Sequence, residues 1–125
     1  MSRDHRKLHV FHLADRLVLD VYRASKRFPA EERFGLRADL RSSALSAAVN
    51  IVEGSARLHH NEYVHFLNIA NASASEARYL SDVSGRLEFL TPGDAELLEQ
   101  DYRELCGRMT SLIASLARGK RNERA

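Results

Sequence analysis

Apolar side chains recur along this chain at steps of three and four, the spacing of one helix face, and no strand-like alternation competes with it. Phe11, Ala14, Leu17, Val18, Val21, Tyr22 and Ser25 predict a first helix from about His9 to Phe28. Pro29 ends it, because the residue before a proline is pushed out of the helical region. A short link from Ala30 to Gly35 leads to a second helix, about Leu36 to Arg57. Its inner stripe is Leu40, Ser43, Ala44, Ala47, Ile51 and Gly54, mostly small side chains. Leu58-His59-His60 marks a break, and Asn61 is the expected N-cap of a third helix reaching about Phe89. That helix presents Phe66, Leu67, Ala70, Ser73, Ala74, Ala77, Leu80, Ser84 and Leu87. Thr91-Pro92-Gly93-Asp94 predicts a fourth start: Thr91 caps, Pro92 takes the first position, and Asp94 meets the positive helix end. Leu98, Tyr102, Leu105, Met109, Leu112 and Leu116 then repeat in steps of four and three to about Ala117, which is bundle packing. Short links between long amphipathic helices favour antiparallel neighbours. The expected fold is all-α, an up-down-up-down four-helix bundle over residues 9–117, with an N-terminal arm (1–8) and a basic tail (118–125).

Composition narrows this picture only slightly. With 125 residues the chain fits one domain, and two prolines with six glycines suit long helices. The single Cys106 cannot form an internal disulfide, which suits a reducing cytoplasm. No apolar run approaches the roughly 18 residues of a membrane span, and the polar N-terminus lacks a signal peptide's apolar core. A soluble cytoplasmic protein without membrane contact is expected.

The second helix is interrupted where it should be simplest. Asn50, Glu53 and Gly54 stand among small residues, and Arg57 follows one turn later. Gly costs about 1 kcal/mol against Ala inside a helix, and a buried Asn or Glu must find partners. One reading is a polar pocket for a phosphate, a base or a partner's backbone. The favoured reading is a structural network, with Arg57 or Arg41 pairing Glu53 or Glu76 between helices or across subunits. Gly54 is expected where two helices approach closely.

Charge is uneven along the chain. Residues 1–60 hold eleven Lys/Arg against seven Asp/Glu, and residues 61–117 hold four against nine. The tail carries Arg118, Lys120, Arg121 and Arg124 against Glu123. Arg33, Arg37 and Arg41 recur every four residues, so with Arg118, Lys120 and Arg121 they are candidates for a surface that follows phosphates. Ordinary solvation, or pairing with the acidic half, is the alternative. Aromatics for base stacking are scarce nearby, so weak sequence preference is expected.

Other chemistry finds little support. His5, His9 and His12, and His59, His60 and His65, form two groups without HExxH or cysteine spacing. Glu62-Tyr63-Val64-His65 gives the Glu-x-x-His step of a di-iron bundle only once. Neither metal nor cofactor is expected. The serines lack a nucleophile elbow, no phosphate-binding glycine loop is present, and Cys106 lies beside the apolar stripe of the fourth helix.

Several stretches together resemble the family of small four-helix-bundle proteins encoded in intervening sequences of bacterial 23S ribosomal RNA genes. Relatives of that family include the accessory protein of diversity-generating retroelements. The resemblance runs from Leu8 to about Leu116. It is carried by Leu8-His9-Val10-Phe11-His12-Leu13-Ala14, Tyr22, Phe28-Pro29, Glu32-Arg33-Phe34-Gly35-Leu36, and Asn50-Ile51-Val52-Glu53-Gly54, similar to the family's Asn-Ile-Ala-Glu-Gly. Glu62 to Ala70, with Ser73 and Glu76, resembles its third-helix motif. Asp39 and Ala72 depart from the Gln and Gly common there. The resemblance implies a homopentameric bundle, and in the retroelement relatives a basic surface for nucleic acid and reverse transcriptase. A non-enzymatic oligomer binding RNA or a ribonucleoprotein is therefore expected, with a protein-binding scaffold as the alternative. An enzyme would require a water-excluding pocket around Glu53.

Overall fold

The computed structural model describes the backbone of residues 3–124 and the side chains of residues 3–119. Four α-helices form: α1 (His9–Ala24), α2 (Leu36–Ser55), α3 (His60–Arg86) and α4 (Pro92–Arg124). Single 3-10 turns occupy His5–Lys7, Ser25–Arg27 and Ala30–Glu32, and no strand occurs among the described residues.

Side-chain pairings fix the direction of each helix. Arg41 near the start of α2 reaches Tyr22 and Ser25 at the end of α1, whereas the Arg3 N–H bonds Ser55 O at the far end of α2. Ser46 meets Ser73 at 2.7 Å, and Gly54 lies against Tyr63 and Phe66, so α3 runs against α2. Arg78–Glu99, Ser75–Cys106 and Asn71–Thr110 set α4 against α3. Arg16–Asp101 places α4 beside α1. The result is the expected up-down-up-down bundle.

All six residues of the α2 stripe are buried, as are Tyr63, Leu67, Ala70, Ala74 and Ala77 of α3, and Gly54 lies against Tyr63 and Phe66. Small side chains bring these two helices together. A Cβ on Gly54 would stand 3.0 Å from Phe66 Cβ and 3.3 Å from Tyr63 O. Both atoms are fixed to the α3 backbone, so glycine is needed here for close approach. Leu17, Val21, Leu98, Tyr102, Leu105 and Met109 complete the core from α1 and α4.

Helix ends differ from the expected ones for local reasons. The first helix tightens to a 3-10 turn after Ala24, where Ser25 Oγ donates to Tyr22 O and accepts from Arg41. Asn61 is not the cap of α3: His59 takes that place in extended conformation, without a side-chain cap bond. The third helix stops at Arg86 instead of running to Phe89. Glu88 adopts φ 63°, with Phe89 N–H bonding Ser84 O at 2.9 Å and Glu88 N–H bonding Gly85 O at 3.0 Å. Those two bonds make a Schellman stop with a non-glycine residue at its left-handed position. Thr91 caps as expected, its Oγ1 accepting from Asp94 N–H at 3.1 Å. The fourth helix continues past Ala117 through the basic tail to Arg124.

Candidate nucleic-acid interface

The link between α1 and α2 gathers cations that the fold leaves without carboxylate partners. Arg23, Lys26, Arg27, Arg33 and Arg37 form no ion pair among the described residues. By contrast, Arg78, Arg86, Arg103 and Arg108 in the acidic half all pair with Glu or Asp. The nearby acids do other work or stand apart. Glu32 Oε2 accepts from Leu36 N–H at 2.9 Å, stabilising the positive start of α2. Glu31 and Asp39 are exposed without partners in the described part of the molecule.

The three arginines spaced by four do not act alike. Arg33 lies in the link, before α2 begins, and is exposed. Arg37 is half-buried in the first turn of α2. Arg41 turns inward to α1: its Nε donates to Ser25 Oγ at 2.7 Å, and a terminal nitrogen donates to Tyr22 O at 3.1 Å. Its guanidinium also lies 4.6 Å from the Tyr22 ring centroid. Arg41 therefore fastens α2 to the end of α1, and the expectation that it faces a phosphate or a carboxylate is corrected.

The antiparallel course of the helices also separates the two basic groups. Phe28 packs on Phe89 at 5.6 Å, which puts the link at the α3–α4 turn. Arg118 lies at the other end of α4, about 39 Å from Pro92 at the 1.5 Å rise of a helix. Arg118 is exposed, and the side chains of Lys120 and Arg121 lie outside the described residues. One subunit cannot offer Arg33, Arg37 and the tail as a single continuous patch.

The polar residues of α2 form a surface arrangement, not a buried network. Asn50 Nδ2 donates to Ser46 O at 2.8 Å and to Ser46 Oγ at 3.1 Å, and Ser46 joins Ser73 across to α3. The Glu53 side chain is 48% exposed and pairs with Arg57 at 2.7 Å along its own helix. Arg57 also approaches Glu62 at 3.7 Å and lies 4.7 Å from the Phe66 ring centroid. Its carbonyl accepts from Arg3 at 3.0 Å, which holds the N-terminal arm against α2. Glu76 is exposed and unpaired among the described residues, so the expected bridges from Arg41 or Arg57 to Glu76 do not form within the chain. Glu53 reaches open solvent.

Sequence reasoning missed Arg23 at the end of α1, Lys26, Arg27 and Phe34 at the link, and Ser46 as the partner of Ser73 between the helices. Lys26-Arg27 was a usable signal, since no acid lies within three residues of it. Elsewhere, His12 Nε2 meets Arg6 O, and His5 packs edge-on against Phe11 at 4.7 Å. No group of three or more His, Cys, Asp or Glu among the described residues is arranged to hold a metal. No described helix is long and apolar enough to cross a membrane. Burial raises the pKa of Tyr102, and it raises that of Tyr63 despite the opposing charge of Arg3.

Residues 6–111 match the profile of the 23S rRNA-intervening sequence proteins. No match was found among curated proteins. A solved structure from Bacteroides thetaiotaomicron, of unknown function and from the S23 ribosomal protein family, superimposes with TM-score 0.77 at 22% identity. The alignment covers 83% of this chain and 97% of that one, a likeness of fold.

Proposed function

We propose, for a chain that belongs to the 23S rRNA-intervening sequence protein family over residues 6–111, a non-enzymatic role as an oligomeric, cytoplasmic RNA- or ribonucleoprotein-binding bundle. The observation that carries this reading is the set of unpaired cations at the α1–α2 link, Arg33 and Arg37 above all. A cation without a carboxylate partner keeps its full charge for a phosphate. Backbone contacts of that kind give affinity with little sequence preference. Arg118, Lys120 and Arg121 supply a second, separate group at the opposite end of the bundle.

Self-association is supported by the outer face of α2. Leu45 and Val49, one turn apart, are 39% and 55% exposed, and the amide oxygen of Asn50 beside them has no donor among the described residues. An apolar pair flanked by an open acceptor suits contact with another copy. The family resemblance implies five copies. Repetition of the link end around such an assembly would raise avidity without any new contact type. The same exposed face also suits a scaffold that binds only protein, and salt separates these readings.

Fluorescence anisotropy with a short single-stranded RNA tests the proposal. Log affinity is expected to fall with log salt by about 0.7 per neutralised phosphate. Arg33→Glu with Arg37→Glu should weaken binding and flatten that slope while helicity and Tm stay unchanged; Arg41 is left intact because it holds α1 to α2. Affinity indifferent to salt and to both substitutions would falsify RNA binding at this end and favour the protein scaffold.

A further inference from the structure

Phe34 is 86% exposed, the highest exposure of any large apolar side chain among the described residues. It sits in the link between two residues that serve the fold: Glu32 caps α2, and Leu36 packs on the core. The same link does bury an aromatic where one is needed, since Phe28 is 5% exposed and packs on Phe89. Exposure of Phe34 is thus not a shortage of core. Its ring is accompanied by cations: the Arg33 guanidinium lies 5.2 Å from its centroid, and Arg37 follows one turn along. Neither arginine has a carboxylate partner among the described residues.

From this arrangement we infer that Phe34 is a stacking platform for an unpaired base, with Arg33 and Arg37 holding the flanking phosphates. The inference rests on the RNA reading above and narrows it to single-stranded RNA. A flat exposed ring offers a π-face to any base, and bases in a duplex already stack on one another and cannot reach it. Charge complementarity selects the occupant. A second copy docking the same end would set five unpaired cations against these, with only the exposed Glu31 and Asp39 to meet them, whereas a polyanion neutralises them all.

The chain contains no tryptophan, so Phe34→Trp installs a single indole reporter at the platform. Oligouridine should quench its fluorescence. An RNA duplex, or an abasic oligomer of equal length, should leave it bright. In parallel, Phe34→Ala should weaken single-strand binding by about fivefold to a hundredfold and leave duplex binding within about twofold. Binding by anisotropy without quenching, or an equal or absent effect of Phe34→Ala on both RNAs, overturns the stacking platform and leaves phosphate binding standing. No RNA binding by the unmodified protein overturns both. A smaller oligomer for Phe34→Ala by native mass spectrometry would instead make Phe34 a contact between copies, which also overturns the inference.

Discussion

Tyr102 is 0% exposed, and its hydroxyl has no hydrogen-bond partner in the described part of the bundle. The ring fills the core; the hydroxyl adds only a desolvation cost of about 1–3 kcal/mol. Tyr102→Phe is therefore expected to stabilise the protein by about 1 kcal/mol, measured by urea unfolding. Its pH dependence has a definite sign. Burial raises the pKa of Tyr102, so above about pH 10 the unfolded chain ionises while the folded one stays protonated. Stability is full below that pH and falls as pH rises, by about 1.4 kcal/mol per unit for Tyr102 while only the unfolded chain ionises. Tyr102→Phe should flatten the alkaline fall, leaving the part due to Tyr63. A loss of stability at pH 7 would mean that the hydroxyl has a partner. Residue roles were unevenly legible in the sequence. Gly54 could be foreseen because close packing of two helices is the simplest reason for a glycine within a helix, here in the last turn of α2. Arg41 could not, since spacing by four says which arginines share a side of a helix but not that one of them turns back to the preceding helix.

Helix faces were the most legible feature, and helix ends the least. The α2 stripe is entirely buried because period 3.6 and the need to hide apolar surface act together on one short segment. Thr91 and Pro92 were equally clear, each having a residue-specific reason to start a helix. The end of α3 was hidden, because a Schellman stop normally shows itself by glycine and here Glu88 takes the left-handed position. That site gives a prediction at the level of the element. Glu88→Gly should stabilise by about 1 kcal/mol by removing the steric cost of a Cβ at positive φ. Thermal unfolding would show a rise in Tm of several degrees for a domain of this size. An unchanged or lower Tm would mean that the Glu88 side chain makes a contact that offsets the strain.

At the scale of the molecule, topology decides what the charges can do together. Read along the chain, the arginines near residue 37 and those of the tail look like one basic reservoir. Folded antiparallel, they stand at opposite ends of the bundle, and the acidic half between them neutralises its own arginines in ion pairs. Among the described residues the link end keeps several unpaired cations together, Arg33 and Arg37 with Phe34 between them, while Arg118 stands at the far end. Whether copies of the chain bring several such ends together, and whether RNA occupies them, is decided by native mass spectrometry of protein purified without nuclease. The predicted spectrum is a five-subunit assembly carrying extra mass that ribonuclease removes, with that mass absent from Arg33→Glu, Arg37→Glu protein of the same subunit number. A bare assembly, or RNA retained equally by the variant, would contradict RNA binding through the link.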